Sequence, residues 1–430
     1  MNGYAKQKQH LMNLARRFCA LADKPENDIK RQRWALHNDL ISTELPLLWV
    51  CPDDDGAWLE LVPEKSLLCE DSELRQLERK LLQYLYQAEH FRDDFVFEPC
   101  VYQDVPGEYT GYHYGKLSQR AAWGYPINKQ KAGWRALKME EVIKTPADYD
   151  TLLSHEVDFI QDSAELARLD EKLTDAVNGI IDIRFLLPYS VLVQALLIDL
   201  VHLRGLQPLM MDLMDEPDLV DRVLRHMAQS KEWLLLRLEK ERRLFDNRIN
   251  IYTGSGSLGY TTQPRKDDAD IRLSDMWGFA DAQEFSHVSP AMFERFALAN
   301  QKLGLNHFGM GCYGCCEPLD NRYEAVFRHI TNLRRISVSP WSDIKLAAEK
   351  IGKKAIFSWK PNPAMISSSF DETAVTKLLE YVKQTAAGCH LEIILKDLRT
   401  CGNTNQYIKH FIALTDRVFD RPAAGKEQPT

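Results

Sequence analysis

The sequence predicts an α/β protein: a (β/α)8 TIM barrel preceded by an N-terminal helical extension. Two observations carry this. From Phe95 onward, short apolar runs alternate with segments of helical periodicity, and the runs number eight. Such alternation builds parallel βαβ units, and eight strands are the number that closes a barrel. A third observation removes the main competitor, a doubly wound open sheet. That fold carries a glycine-rich phosphate turn after its first strand, and none follows residues 95–101.

The elements fall in order. Residues 7–21, 29–41 and 72–90 place apolar side chains at helical spacing, which makes residues 1–92 a mostly helical extension packed on the barrel. Ser72 is the expected cap of the third helix, with Glu73 in its first turn; Arg75 stands where a capping box needs Glu or Gln. Residues 45–50 form a short strand candidate inside the extension. Asp53-Asp54-Asp55-Gly56 reads as a solvated turn, since calcium-loop spacing is missing. The barrel spans 93–420. Its expected strands are 95–101, 179–187, 249–253, 270–274, 304–312, 333–338, 354–359 and 391–396, with helices between them. Ser289-Pro290 and Asp371-Glu372 are helix starts, and residues 421–430 are expected as a disordered tail.

Hydrophobic residues make up 45% and charged residues 27% of the 430, the balance of a soluble globular enzyme. The net charge of −8 leaves no basic surplus to neutralise phosphates, which argues against a nucleic-acid partner. The most apolar stretch, 180–203, is broken by Asp182, Arg184, Pro188 and Asp199, so no membrane span is expected. The first twenty residues lack the apolar core of a secretory signal, and the cytoplasm is the expected location.

Nine cysteines are too sparse for a disulfide scaffold. Cys19, Cys51, Cys69, Cys100 and Cys389 stand singly and read as packing residues. The other four gather where barrel chemistry gathers, on loops after strand C-termini. Cys312, Cys315 and Cys316 fall within five positions, between glycines that let the backbone turn tightly. Cys401 follows the last strand, and all such loops face one mouth. Thiolates at strand ends suit zinc, and an incomplete protein ligand set with one open position is the pattern of a catalytic zinc. The alternative is a group of buried or redox-sensitive thiols.

Gly314-Cys315-Cys316-Glu317-Pro318-Leu319, the run from Leu333 to Trp341, and Cys401-Gly402 together resemble the uroporphyrinogen-decarboxylase superfamily. More narrowly they resemble its zinc-dependent corrinoid methyltransferase branch. The helix start at Val288-Ser289-Pro290 and the stretch from Arg204-Gly205 to Glu216-Pro217 add to the likeness, which covers about residues 95–415. The resemblance implies a barrel of that type and a zinc site made by a His-x-Cys pair and a later Cys before Gly. Cys401-Gly402 matches the later position, and Cys315 or Cys316 the earlier cysteine. The histidine is absent: Tyr313 or Gly314 stands there, and His307 lies several residues too early. Cys316 and Cys401 are therefore the leading ligands, with Cys315, Cys312 or Glu317 completing the set.

The implied activity moves a methyl group between a corrinoid, carried by a partner protein, and a thiol or folate-type acceptor. Zinc would hold the acceptor as its thiolate. Glu317 and Asp275 are the candidate catalytic carboxylates, with Trp277 and Glu284 near the latter. Arg399 and Arg322 flank the cysteine loops and suit an anionic tail, and Tyr313 joins them as a substrate contact. Ion-pair or structural roles are the alternatives for each. Residues 254–259, Gly-Ser-Gly-Ser-Leu-Gly, suit a mobile substrate loop, and Tyr112, His113 and Tyr114 a loop covering the mouth. Two further readings stay open: a metal-free decarboxylase or lyase on a carboxylated substrate, and a non-catalytic barrel binding a corrinoid or tetrapyrrole. Small-molecule substrate, a corrinoid protein and a second copy of the chain are the compatible partners.

Overall fold

The structure is a computed structural model that describes residues 3–42, 45–113, 116–132, 136–263, 270–367 and 369–421. Tyr114 and residues 422–430 of the expected tail lie outside the described residues. Eight parallel strands are present: β1 Leu47–Pro52, β2 Cys100–Asp104, β3 Asp182–Leu186 and β4 Trp277–Ala280 are followed by β5 Met310–Tyr313, β6 Leu333–Val338, β7 Ile356–Trp359 and β8 His390–Leu398. Six form one sheet in the order β1-β8-β7-β6-β5-β4, while β2 and β3 pair separately.

The expected closed (β/α)8 barrel is thus corrected to a partial one. Strand hydrogen bonds do not close the ring among the described residues. The reason is visible at both edges of the six-stranded sheet. On β1, Leu48 N–H donates to Asp94 Oδ2 (2.7 Å) and Val50 N–H to Asp93 Oδ2 (3.0 Å). On β4, Asn247 donates to the Trp277 carbonyl and accepts its N–H, both at 2.8 Å, and Gln194 N–H takes the Phe279 carbonyl. Side chains and loop backbone therefore satisfy the edges where barrel neighbours would pair.

Three strand expectations change with this. Residues 249–253 are irregular, because Asn247 rather than a ladder fastens that segment to β4. Asp270–Ser274 is no strand; the strand begins at Trp277, after a short 3-10 turn at Leu273–Asp275. Phe95, Phe97 and their neighbours do not open the barrel. They pack with Phe18, Tyr84 and Trp49 in a second core under the N-terminal helices. The first strand of the sheet is instead β1, from within the expected helical extension, and it pairs with the last, β8. The helical expectation for that region holds at Gly3–Ala22, Glu26–Asn38 and Ser72–His90. The cap of the third is Asp71, whose carboxylate accepts from the N–H groups of Glu73 and Leu74.

Later elements follow the pattern more closely. β6 occupies the expected span, and β7 and β8 lie on theirs. Asp371 and Ser289 cap their helices through the side chain, as start signals of this type do. The main core lies between the sheet and the surrounding helices, from Leu48 and Leu200 to Ile393 and Phe411. Among the described residues, no helix is long and apolar enough to cross a membrane.

Candidate active site

The chemistry-bearing residues converge at the C-terminal ends of β4 to β8, as parallel sheets arrange their sites. Asp281 follows β4 directly, Cys315, Cys316 and Glu317 follow β5, and Lys360 follows β7. Lys396 and Asp397 lie in β8 where its register with β1 shifts, between the pairs Val50↔Leu395 and Pro52↔Leu398. A bulge of this kind re-aims side chains. Asp397 takes a positive φ of 58° there, an unusual backbone state for a residue with a Cβ.

The centre is a pair of adjacent thiols. Cys315 Sγ and Cys316 Sγ are 3.6 Å apart, and the Lys396 ammonium lies 3.4 Å from Cys315 Sγ. Asp397 Oδ2 lies 3.8 Å from Cys316 Sγ and 3.4 Å from Lys396 Nζ. Both thiols are half-buried. The hydrogen bond from Cys315 holds the Cys316 thiol below its ordinary value against the cost of burial, with help from Lys396. Cys315 is pushed well above it, by that same hydrogen bond and by burial. The two thiols titrate as a coupled pair, in which Cys316 is the more readily deprotonated member. Burial disfavours the Lys396 ammonium, but Tyr252, Cys315 and Asp397 outweigh it and keep the amine charged.

Two acids that follow β4 are also shifted. Burial and the Cys315 and Glu317 charges push Asp281 well above the usual carboxylate range. Burial likewise raises Glu284 to about 7. Glu317, expected as a catalytic carboxylate, clamps the loop instead. Its Oε1 accepts from Ala282 N–H (3.0 Å) and its Oε2 from Cys315 N–H (2.9 Å), tying the β5 loop to the β4 loop.

Behind the thiols lies a buried charge network. Arg335 Nε and Glu392 Oε1 are 3.0 Å apart, His37 Nε2 is 3.3 Å from Glu392 Oε2, and Ser257 donates to that oxygen at 3.0 Å. Burial would raise Glu392, but Arg335, His37 and Lys360 hold it far below the usual range. Burial pulls Lys360 down to about 7 against the pull of Glu392.

Several expected site residues are placed elsewhere. Cys312 is buried in β5, and its sulfur takes a hydrogen bond from Arg335 (3.5 Å) rather than facing the mouth pair. Cys401 is fully buried in the main core, with its N–H and thiol on Glu60 Oε2 at 2.9 and 3.2 Å. Burial and Glu60 raise that thiol to about 12. Asp275 precedes β4, so it stands at the opposite end of that strand from the mouth and accepts the Arg272 N–H. The shift of the strand from 270–274 to 277–280 explains the misplacement. Arg322 is buried over the Phe293 ring and holds the carbonyls of Ser286 and Val288, and Tyr313 is buried with its hydroxyl on Gln301. Both build loops rather than a substrate contact. Arg399 is exposed, one residue past β8.

Zinc does not fit these residues as they stand. Among the described residues, no group of three His, Cys, Asp or Glu side chains is arranged to hold a metal. Cys401, one of the two leading ligands, is committed to Glu60, and the Lys396 ammonium occupies the neighbourhood where a cation would meet Cys315. Sequence reasoning missed Asp281, Lys360, Lys396 and Asp397. Asp281 follows β4 directly, and the strand expected at 270–274 hid it; Lys360 follows a strand whose end at Trp359 was placed correctly, but a lone lysine there carried no signal.

A cavity of about 510 Å³ is lined by the ends of β1, β2 and β3, residues 245–258 and β4. Gly254 lies on its wall. Its φ is +63°, and a Cβ there would lie 2.9 Å from both Cβ and Sγ of Cys312. The glycines of the expected mobile loop thus serve close packing.

No family's sequence model matches the chain, and no curated protein matches it. Among solved structures, a methyltransferase from Methanosarcina mazei matches over 91% of this chain and 99% of its own, at 10% identity and a TM-score of 0.50. At that identity the likeness speaks for the fold alone: an α/β chain of nearly the same extent, with a barrel-like parallel sheet.

Proposed function

We propose that the chain is a methyltransferase that moves a methyl group between a corrinoid, carried by a partner protein, and a thiol or folate-type acceptor. The observation that carries this reading is the Cys315–Cys316 pair beside Lys396 at the sheet's C-terminal mouth. Full-length likeness to a protein named a methyltransferase supports the same reading.

The chain's own residues supply an economical route with a thiol acceptor. The Cys316 thiolate takes the acceptor's proton, and the Lys396 ammonium steadies the acceptor thiolate that results. That sulfur attacks the methyl carbon. The new S–C bond forms as the bond to the donor breaks, and the broken bond's electron pair stays with the donor. Burial raises Asp281 well above the usual carboxylate range, which disfavours a competing negative charge at the same mouth.

The test uses purified full-length chain, methylcobalamin as donor and a small thiol as acceptor, with the methyl thioether measured by mass spectrometry. Time-dependent thioether above the no-protein control supports the reading. Its absence with both thiol and folate-type acceptors would sink it.

A further inference from the structure

We propose that the 510 Å³ cavity is a binding site for a flat, uncharged aromatic molecule, held by stacking on Tyr189 and Tyr252. Its size is that of small-molecule sites, which lie in the range of roughly 300–1,000 Å³. The walls supply the chemistry. Phe95 stacks on Trp49 at 5.8 Å, Trp49 meets Tyr252 at 6.0 Å, Tyr252 meets Tyr189 at 6.1 Å, and Tyr189 stacks on Phe279 at 6.1 Å. All five rings line the cavity, so one continuous aromatic band crosses it from β1 to β4.

Trp49, Phe95 and Phe279 are buried, and the accessible surface of the band lies on its two tyrosines. Tyr189 and Tyr252 are 38% and 39% exposed, yet burial raises both phenols far above their ordinary value. Both facts hold together if the exposed ring surface faces the recess of the cavity, which is open on one side, rather than the outer surface. The Tyr189 hydroxyl is already spent on the Gly254 carbonyl at 2.5 Å, so what it offers a ligand is its ring. Ring faces of this kind favour offset stacking with another ring.

Charge argues for a neutral ligand. Lys80 and Asp54 both line the cavity, and Asp54 is the main influence keeping the Lys80 amine charged. That amine also lies 5.3 Å from the Tyr84 ring centre, so the cavity already contains its own cation on an aromatic face. The wall carries both signs together, Lys80 with Asp54 and Asp104, so an ion of either sign meets a like charge beside its counter-charge while a neutral ring meets neither penalty. Gln103 and Asn250, also on the wall, suit the polar edge of an uncharged ring.

This assignment goes beyond the methyltransferase reading and does not require it. The two are separable: ring binding without methyl transfer would defeat the earlier reading alone. Titration of the full chain with 2-methoxyphenol, benzoate and tetramethylammonium, read by tryptophan fluorescence, tests the site. The neutral ring is expected to bind more tightly than either ion. Tyr252→Leu should weaken it about tenfold, the loss of one good aromatic contact. Val193→Trp should block it by filling the cavity, with a thermal melt confirming that each variant is folded. Tighter binding of either ion, no binding of 2-methoxyphenol, or binding untouched in both folded variants would overturn the assignment.

Discussion

Glu317 and Lys360 show how far a residue's role depends on what surrounds it. Glu317 looks like an acid or base in the sequence, yet both its oxygens are occupied by backbone N–H groups of two different loops. In Glu317→Gln the amide would turn its NH2 toward one of those donors. A loss of about 1–3 kcal/mol is expected from urea unfolding. Lys360 makes a pH prediction. Its folded pKa of about 7 lies below the ordinary 10.5, so between these values the unfolded chain binds the extra proton. Stability attributable to this residue therefore rises with pH in that window, by up to about 1.4 kcal/mol per pH unit. The difference between wild type and Lys360→Met, read from urea midpoints at several pH values from about 7 to 9, should show that slope. Equal pH profiles would contradict the burial assigned to the amine.

Among elements, the stretch 309–316, β5 with the start of its following loop, was legible because three cysteines and three glycines crowd into it, and such a run is conspicuous without any structure. Its partner on β8 was not. Lys396 and Asp397 reach the thiols through a register shift against β1, and β1 itself had been placed in the helical extension. Nothing in a local apolar pattern reports which distant strand will lie alongside, or where the ladder slips. Cys401 illustrates the opposite error. A family-like Cys-Gly pair was legible, but its thiol faces Glu60, from a segment more than three hundred residues earlier. The Gly254 loop carries its own prediction. Gly254→Ala places a Cβ 2.9 Å from the Cys312 side chain at a φ of +63°. It should destabilise the fold by about 1–3 kcal/mol in thermal or urea unfolding.

The whole molecule was legible as strand–helix alternation, and less so as a closed barrel. Closure fails where Asp93, Asp94 and Asn247 occupy strand edges, and single polar side chains leave no periodic signal of that role. The sheet's interior is instead organised by a buried ion pair. Arg335→Met would strand Glu392 among low-dielectric neighbours and should cost about 3–5 kcal/mol, while Arg335→Met with Glu392→Leu should recover part of it. Urea unfolding of the single and double variants reads this directly.

The thiol pair at the mouth is proposed to act without Cys401. The most direct measurement compares methyl transfer from methylcobalamin to a thiol by wild type, Cys316→Ser and Cys401→Ser, each verified as folded. Cys316→Ser is expected to lose about a hundredfold or more, the scale of removing a positioned base. Cys401→Ser should stay within a few-fold of wild type, at some cost in thermal stability. Full activity in Cys316→Ser, or a comparable collapse in folded Cys401→Ser, would contradict the account.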